Sequence, residues 1–265
     1  MIKIKNNFDL DNTITCGQIF RYKYENDKYI IILKDRVISL KKDNDYIIVN
    51  SSNEDDLENV INEYFDLNTN YNQIIDKLLS KDSSLIINKG LRIISQDPLE
   101  TIISYIISQN NKVSSISNSI NLLCKYGKKI EFENNIYYLF PSFNELKKLT
   151  IEDFRNCKVG FRDKYLYNII NSDIDINSIK NMSTNDALNY LMRYKGIGIK
   201  VASCILLFAY KRYDVYPIDT WVKKYMKDTY NIEGLKNIEN FARSKYGNYC
   251  GLALQYMFNS KRNKK

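Results

Sequence analysis

The hydrophobic period of this chain changes once, near residue 54, and that change limits its fold more than any other feature of the sequence. Before it come short runs separated by polar turns: Gln18 to Tyr24, Lys28 to Leu33, Arg36 to Lys41 and Tyr46 to Ser51, broken by segments such as Glu25-Asn26-Asp27. Runs of this length, rich in Tyr, Ile and Val, predict antiparallel strands. After it, Leu57, Val60, Ile61 and Tyr64 share one helical face, and Ile74, Ile75, Leu78 and Leu79 share the next. The expected class is α+β, a small N-terminal antiparallel sheet followed by a mostly helical body.

Start signals place several of the helices. Asp97-Pro98 pairs an N-cap with a proline at the first helical position, opening the apolar helix Leu99 to Ile107. Pro141 opens a further helical stretch after the hydrophobic Ile136 to Phe140 segment, and Ser183, three residues before Asp186, resembles a capping box ahead of Ala187 to Tyr194. A boundary between Lys81 and Pro98 divides the chain into residues 1–90, the antiparallel sheet with flanking helices, and 91–265, almost entirely helical. Only the Lys261 to Lys265 tail reads as disordered.

Composition removes whole classes of chemistry. There is no histidine, which excludes HExxH metalloproteases, Ser-His-Asp triads and histidine acid–base catalysis. The cysteines (Cys16, Cys124, Cys157, Cys204, Cys250) are odd in number and widely spaced, with no C-x-x-C pair, so buried free thiols are expected rather than a metal site. No metal and no cofactor are expected. No apolar run approaches the roughly 20 residues of a membrane span, and Met1 to Asp11 lacks a signal peptide's apolar stretch. These features predict a soluble monomer without membrane contact, cytoplasmic, and nucleoid-associated if prokaryotic. Lys and Arg outnumber Asp and Glu by 39 to 31, a net charge of +8 that suits a polyanionic partner. Charge alone is a weak argument, because an AT-rich genome also enriches lysine.

The segment Leu188 to Tyr225 carries the most information: a helix, then Lys195-Gly196-Ile197-Gly198-Ile199-Lys200, a second helix, a loop, and Tyr216-Pro217-Ile218-Asp219. Gly196 and Gly198 permit a sharp turn between helices and leave bare amides at a helix N-terminus, which is a site for a DNA phosphate. A Walker A loop or a Rossmann fingerprint would need glycines that are absent here. An ordinary glycine turn between helices remains the plain alternative. Lys200 sits in the first turn of the second helix, where the dipole opposes its charge and favours the neutral amine that attacks carbon. Asp219 reads first as an N-cap, a position from which a carboxylate also reaches a cleft.

G-I-G-I-K-V-A, followed nineteen residues after its lysine by the aspartate of Y-P-I-D, resembles the helix-hairpin-helix DNA glycosylases. More narrowly the chain resembles their 8-oxoguanine DNA glycosylase/AP lyase branch. The ordered matches are C-G-Q-I-F-R-Y (Cys16 to Tyr22), the Gln96 to Asn111 helix and turn, G-F-R-D-K-Y (Gly160 to Tyr165) and Y-G-N-Y-C-G-L-A (Tyr246 to Ala253).

The resemblance implies an enzyme acting on double-stranded DNA that contains a damaged purine, 8-oxoguanine by preference. The base must first leave the stack. Lys200 then attacks C1′ and forms a Schiff base, with Asp219 assisting. It further implies a lesion pocket built from the Gly17 carbonyl, which accepts the N7 hydrogen peculiar to 8-oxoguanine, and from Cys204 and Phe258, which sandwich the base. Leu254 stands where the family reads the Watson–Crick edge with a glutamine, and Gln255 is adjacent. On the opposite strand the resemblance places Asn110 in the gap, Phe161 as wedge and Arg162 as a base reader, with Ser115 replacing a second arginine. Trp221 stands at a phosphate-contacting position beside Gly196 and Gly198. A glycosylase for another damaged purine and a non-catalytic hairpin module that only grips DNA are the competing readings.

Overall fold

The computed structural model describes residues 1–262. Strands β1 (Ile2–Lys5), β2 (Tyr22–Glu25), β3 (Lys28–Ile32), β4 (Val37–Asp43) and β5 (Tyr46–Ser51) form one antiparallel sheet in the order β1-β5-β4-β3-β2. Glu25 pairs with Lys28, so Asn26 and Asp27 alone make the loop, and both have positive φ (51° and 57°). That two-residue turn matches the right-handed twist of the strands. On the inner face Ile31, Ile38, Leu40, Ile47 and Val49 pack against Leu10 and Ile14 of α1 (Leu10–Thr15) and Leu57 and Ile61 of α2 (Leu57–Tyr64).

Three features here depart from the sequence expectation. The first expected strand begins at Tyr22, not Gln18, because the buried Gln18 side chain serves another segment: it donates to Thr13 and Arg92 carbonyls (both 2.8 Å) and accepts from the Ile94 amide (2.8 Å). Strand β1 and helix α1 were not expected. Nor was a second hairpin, β6 (Lys129–Phe132) and β7 (Asn135–Tyr138), whose turn residues Glu133 and Asn134 have φ of 48° and 61°. It leans on the sheet through Tyr137, packed with Ile30 and Val37, and through Glu133, which accepts from Ser39 at 2.7 Å and pairs with Lys28.

The helical body comprises α3 (Tyr71–Lys81), α4 (Pro98–Ser108), α5 (Val113–Cys124), α6 (Phe143–Leu146), α7 (Ile151–Asn156), α8 (Asp163–Ile170), α9 (Thr184–Met192), α10 (Ile199–Tyr210), α11 (Thr220–Tyr230), α12 (Leu235–Tyr246) and α13 (Cys250–Arg262). Its centre is α10, buried from Val201 to Ala209 and packed on α4 and α9. Asp97 caps α4 as expected, accepting from the Glu100 amide at 3.0 Å, and Ser183 caps α9. Pro141 lies one residue ahead of the cap of α6, which Ser142 provides in a capping box with Glu145. Helix α13 continues through Arg262, so the backbone at 261 and 262 is helical where a disordered tail was expected; residues 263–265 of that tail lie outside the described residues.

A buried ion pair joins sheet and body. Arg21, just ahead of β2, is buried and makes a two-pronged ion pair with Glu100 of α4 (2.6 and 2.7 Å), its third nitrogen reaching the Tyr138 carbonyl at 3.0 Å. Such a fork fixes orientation as well as distance. The five cysteines are free and buried, as expected. Among the described residues no helix is long and apolar enough to cross a membrane, and no cluster of His, Cys, Asp or Glu is suited to a metal.

Candidate active site

The two hairpin glycines between α9 and α10 serve different needs. Gly196 has φ +97°, and a Cβ there would stand 2.7 to 2.9 Å from the Tyr165 ring, so both backbone and packing require glycine. Gly198 is extended (φ −90°, ψ 175°) and is the N-cap of α10, with nothing within 4 Å of where a Cβ would be. Its value is open approach rather than conformational freedom. No side chain caps α10, so its first-turn amides face outward for an external anion.

Lys200 is the second residue of α10, half-buried, with Nζ 5.4 Å from the centroid of the Tyr105 ring on α4. One turn further on, burial pushes the Cys204 thiol up; Lys200 opposes this by charge and by a side-chain hydrogen bond, and the Asp219 carboxylate reinforces it. Both charged groups therefore bear on the same buried thiol, the lysine against its upward push and the aspartate with it. Asp219 is the expected N-cap: its Oδ1 accepts from the Val222 amide of α11 at 2.8 Å. The cap occupies one oxygen, and Oδ2 has no hydrogen bond among the described residues.

Facing this pair is the segment after α1. Gly17 has φ +90°, which turns the chain between the buried Cys16 and Gln18. From α13, Gln255 Nε2 reaches the Cys16 carbonyl at 3.4 Å, whereas Leu254 packs into the helical core. Phe258, one turn beyond Leu254, meets Trp221 edge to face at 5.1 Å, and Trp221 stacks on Tyr225 at 5.3 Å. The candidates Gly17, Cys204, Gln255, Phe258, Lys200, Asp219 and Trp221 thus come from α10, α11, α13 and the sheet domain's entry loop. Sequence reading missed Tyr105, which is buried, stacks on Phe208 at 5.6 Å, carries Lys200 over its ring and donates to the Gln18 carbonyl at 3.5 Å. A lone aromatic in the aliphatic run of α4 was the available signal.

The residues assigned to the opposite strand divide into two groups. Asn110 (φ 47°), Phe161 and Ser115 are exposed, and Phe161 most conspicuously, at 59%. Arg162 is only 6% exposed: Nε donates to the Gln109 carbonyl at 3.0 Å, Nη2 to the Gln109 and Asn110 carbonyls, and Nη1 to Val159 at 2.9 Å. Gly160 (φ 63°) starts the short 3-10 turn that aims it inward, onto carbonyls at the C-terminal end of α4, where a cation is favoured. A cavity of about 360 Å³ between Arg21, Tyr64, Asp97 and Glu100 includes none of these candidates and lies apart from the chemistry.

A small sheet feeding a helical body, with an uncapped glycine hairpin leading into Lys200 and with Asp219 capping the next helix, is the arrangement of a helix-hairpin-helix DNA glycosylase. Comparison with known proteins narrows the class. Residues 1–102 match the N-terminal domain of 8-oxoguanine DNA glycosylase. The 8-oxoguanine glycosylase/lyase of Clostridium acetobutylicum, solved with double-stranded DNA carrying cytosine opposite 8-oxoguanine, superimposes with a TM-score of 0.91 at 37% identity, over 98% of this chain and 93% of its own. MBOgg1, solved with a low-affinity DNA ligand, gives 0.93 at 33% identity, over 99% and 95%. An N-glycosylase/DNA lyase of Saccharomyces cerevisiae is 29% identical over 91% of this chain and 73% of its own length. The chain belongs to the 8-oxoguanine DNA glycosylase/lyase family.

Proposed function

We infer that this protein extrudes 8-oxoguanine from duplex DNA, excises it, and cuts the strand at the resulting site. The observation that carries the reading is Lys200, held in the first turn of an uncapped helix with Asp219 acting on the same neighbourhood. The bare amides behind Gly198 suit a backbone phosphate, a contact that positions DNA without reading its sequence.

With the damaged nucleotide in the pocket, Lys200 Nζ bonds to C1′ as the C1′–N9 bond breaks. The electron pair leaves with the purine, which takes up a proton. Asp219 stabilises positive charge at the sugar, an interaction that strengthens in a dry site. Sugar ring opening then gives an imine between C1′ and Nζ. Loss of a C2′ proton expels the 3′ phosphate and breaks the strand. The Gly17 carbonyl discriminates: 8-oxoguanine offers it an N7 hydrogen, while guanine leaves a buried acceptor unpaired, at a cost of about 1 to 3 kcal/mol. Cys204 and Phe258 hold the two faces of the base, and Gln255 supports the Cys16-Gly17 turn. Work on chromosomal DNA fits a cytoplasmic protein, at the nucleoid in a prokaryote.

The decisive assay uses an end-labelled duplex with one 8-oxoguanine opposite cytosine. Cleavage at the lesion without alkali supports the whole reading. Cleavage only after alkali would remove the lyase step, and an intact strand in both cases would sink the assignment.

A further inference from the structure

The turn that carries Asn110 and the hairpin that carries Lys200 are joined by one side chain. Gln109 is the C-cap of α4, and its Nε2 donates to the Gly196 carbonyl at 2.8 Å and to the Ile106 carbonyl at 3.1 Å. Its own carbonyl is gripped by Arg162 from the wedge segment. Gly196 is held from a second side by the Tyr165 ring, which touches Phe161 edge to face at 6.1 Å. The exposed Asn110 and Phe161 therefore share a hydrogen-bonded frame with the hairpin turn, and that turn ends in the first turn of α10, where Lys200 lies four residues after Gly196.

We propose that Gln109 is a positioning residue that couples the turn facing the opposite strand to the hairpin that carries Lys200, so that filling the gap in the duplex sets the lysine for attack. This rests on the glycosylase/lyase reading above. The Gln109 amide reaches the carbonyl of a residue whose conformation only glycine permits, so the hairpin has little freedom to relax independently. Displacing the turn shifts Gly196, and a small misplacement of an attacking atom costs a large factor in rate. A purely local cap would need only the bond to Ile106. The bond to Gly196 spans 87 residues of chain and joins two separate DNA-facing loops.

The test compares two substrates. On a duplex with 8-oxoguanine opposite cytosine, the protein must use the gap-facing turn. On single-stranded DNA with a preformed abasic site, β-elimination needs Lys200 but offers no opposite base. Gln109→Met keeps the length and removes the donor; Gln109→Glu keeps the shape and sets an acceptor against the Gly196 carbonyl. Both are expected to slow single-turnover excision from the duplex by about tenfold or more. Cleavage of the single-stranded abasic site should be slowed less than duplex excision, and the unfolding midpoint of Gln109→Met should stay close to that of the unmodified protein. Equal slowing on both substrates would make Gln109 a support of the hairpin alone, and unchanged duplex excision would remove it from the reaction; either result overturns the proposal. A drop in the unfolding midpoint with both variants alongside lost activity would also overturn it in favour of a folding role. If the unmodified protein cleaved neither substrate, the functional reading itself would have failed, a separate outcome.

Discussion

Lys200 and Cys204 stand one turn apart on α10, and the lysine acts on the buried thiol by charge and by a hydrogen bond. A lysine at a free helix N-terminus would ordinarily extend into solvent, since the dipole there disfavours a cation. Here the amine instead lies over the Tyr105 ring, 5.4 Å from its centroid. On the proposed function, the pairing with Cys204 puts the attacking amine beside the surface on which the extruded base rests.

The covalent step follows directly from that placement. Borohydride is expected to trap the unmodified protein on 8-oxoguanine duplex as a stable adduct, and Lys200→Gln is expected to give none. Gel-shifted adduct measures the difference. Undiminished trapping by the variant would assign the imine to another amine.

Two substitutions separate the cap that Asp219 makes from the part in excision proposed for it. Asparagine caps a helix about as well as aspartate, so Asp219→Asn should fold with an almost unchanged unfolding midpoint while excision falls by roughly 100-fold or more, on the scale of a lost electrostatic contact in a transition state. Asp219→Ala should lose the bond to the Val222 amide as well, costing about 1 kcal/mol of stability. Thermal unfolding and single-turnover rates on the same preparations give both quantities. Full activity in the asparagine variant would leave only the cap.

Away from the site, Asp82 ties α3 to α11 and α12. Burial by itself would raise its carboxyl, but hydrogen bonds from Lys245, Ser84, Tyr246 and Tyr230 outweigh burial and hold it well below the usual carboxylate range of 3.8. Tyr246 donates to it at 2.6 Å and Lys245 pairs with it at 2.8 Å. A depressed carboxyl contributes stability that is fully present above the unfolded value and is lost as pH falls through the folded one. Asp82→Asn should therefore be less stable than the unmodified protein at neutral pH, by about 2 kcal/mol. The gap between the two unfolding curves should start to close as pH falls below about 3.8 and go on narrowing toward the depressed folded value. Parallel pH profiles would contradict this account.

Much of the fold was legible because it rests on local pattern. Strands β3 to β5 are short runs rich in Ile, Val and Tyr with Asn or Asp at their turns, and the caps of α4 and α9 announce themselves in Asp97-Pro98 and Ser183. Strand β1 was not legible: four residues alternating Ile and Lys acquire meaning only from β5, more than forty positions away. The β6–β7 hairpin is held by Tyr137 and Glu133 against the sheet, which no local window contains. Within the candidate site, the positions of Lys200 in the first turn of α10 and of Asp219 as the N-cap of α11 were readable from the local sequence. The inward course of Arg162 was not, since it depends on the backbone at Gly160 and on carbonyls of a helix fifty residues earlier.

That inward course sharpens the expectation for the base opposite the lesion. Cytosine presents O2 and N3 as acceptors, and two arginines could donate to both. In this chain Ser115 stands at one of those positions, exposed on α5 and too short to span the gap. At the other, every guanidinium nitrogen of Arg162 already donates to a backbone carbonyl, so reaching a base would first break bonds that hold the Asn110 turn. A good base contact is worth about 1 to 3 kcal/mol of discrimination, or roughly tenfold and upward. With one donor missing and the other committed elsewhere, excision opposite cytosine should be only modestly faster than opposite adenine, guanine or thymine. Ser115→Arg should raise the cytosine ratio by about tenfold, because it supplies a donor without disturbing the Arg162 clasp. Single-turnover rates on the four duplexes, with and without the substitution, measure it. A preference of several hundredfold in the unmodified protein would mean that Arg162 leaves its carbonyls on binding and that Asn110 supplies what Ser115 lacks.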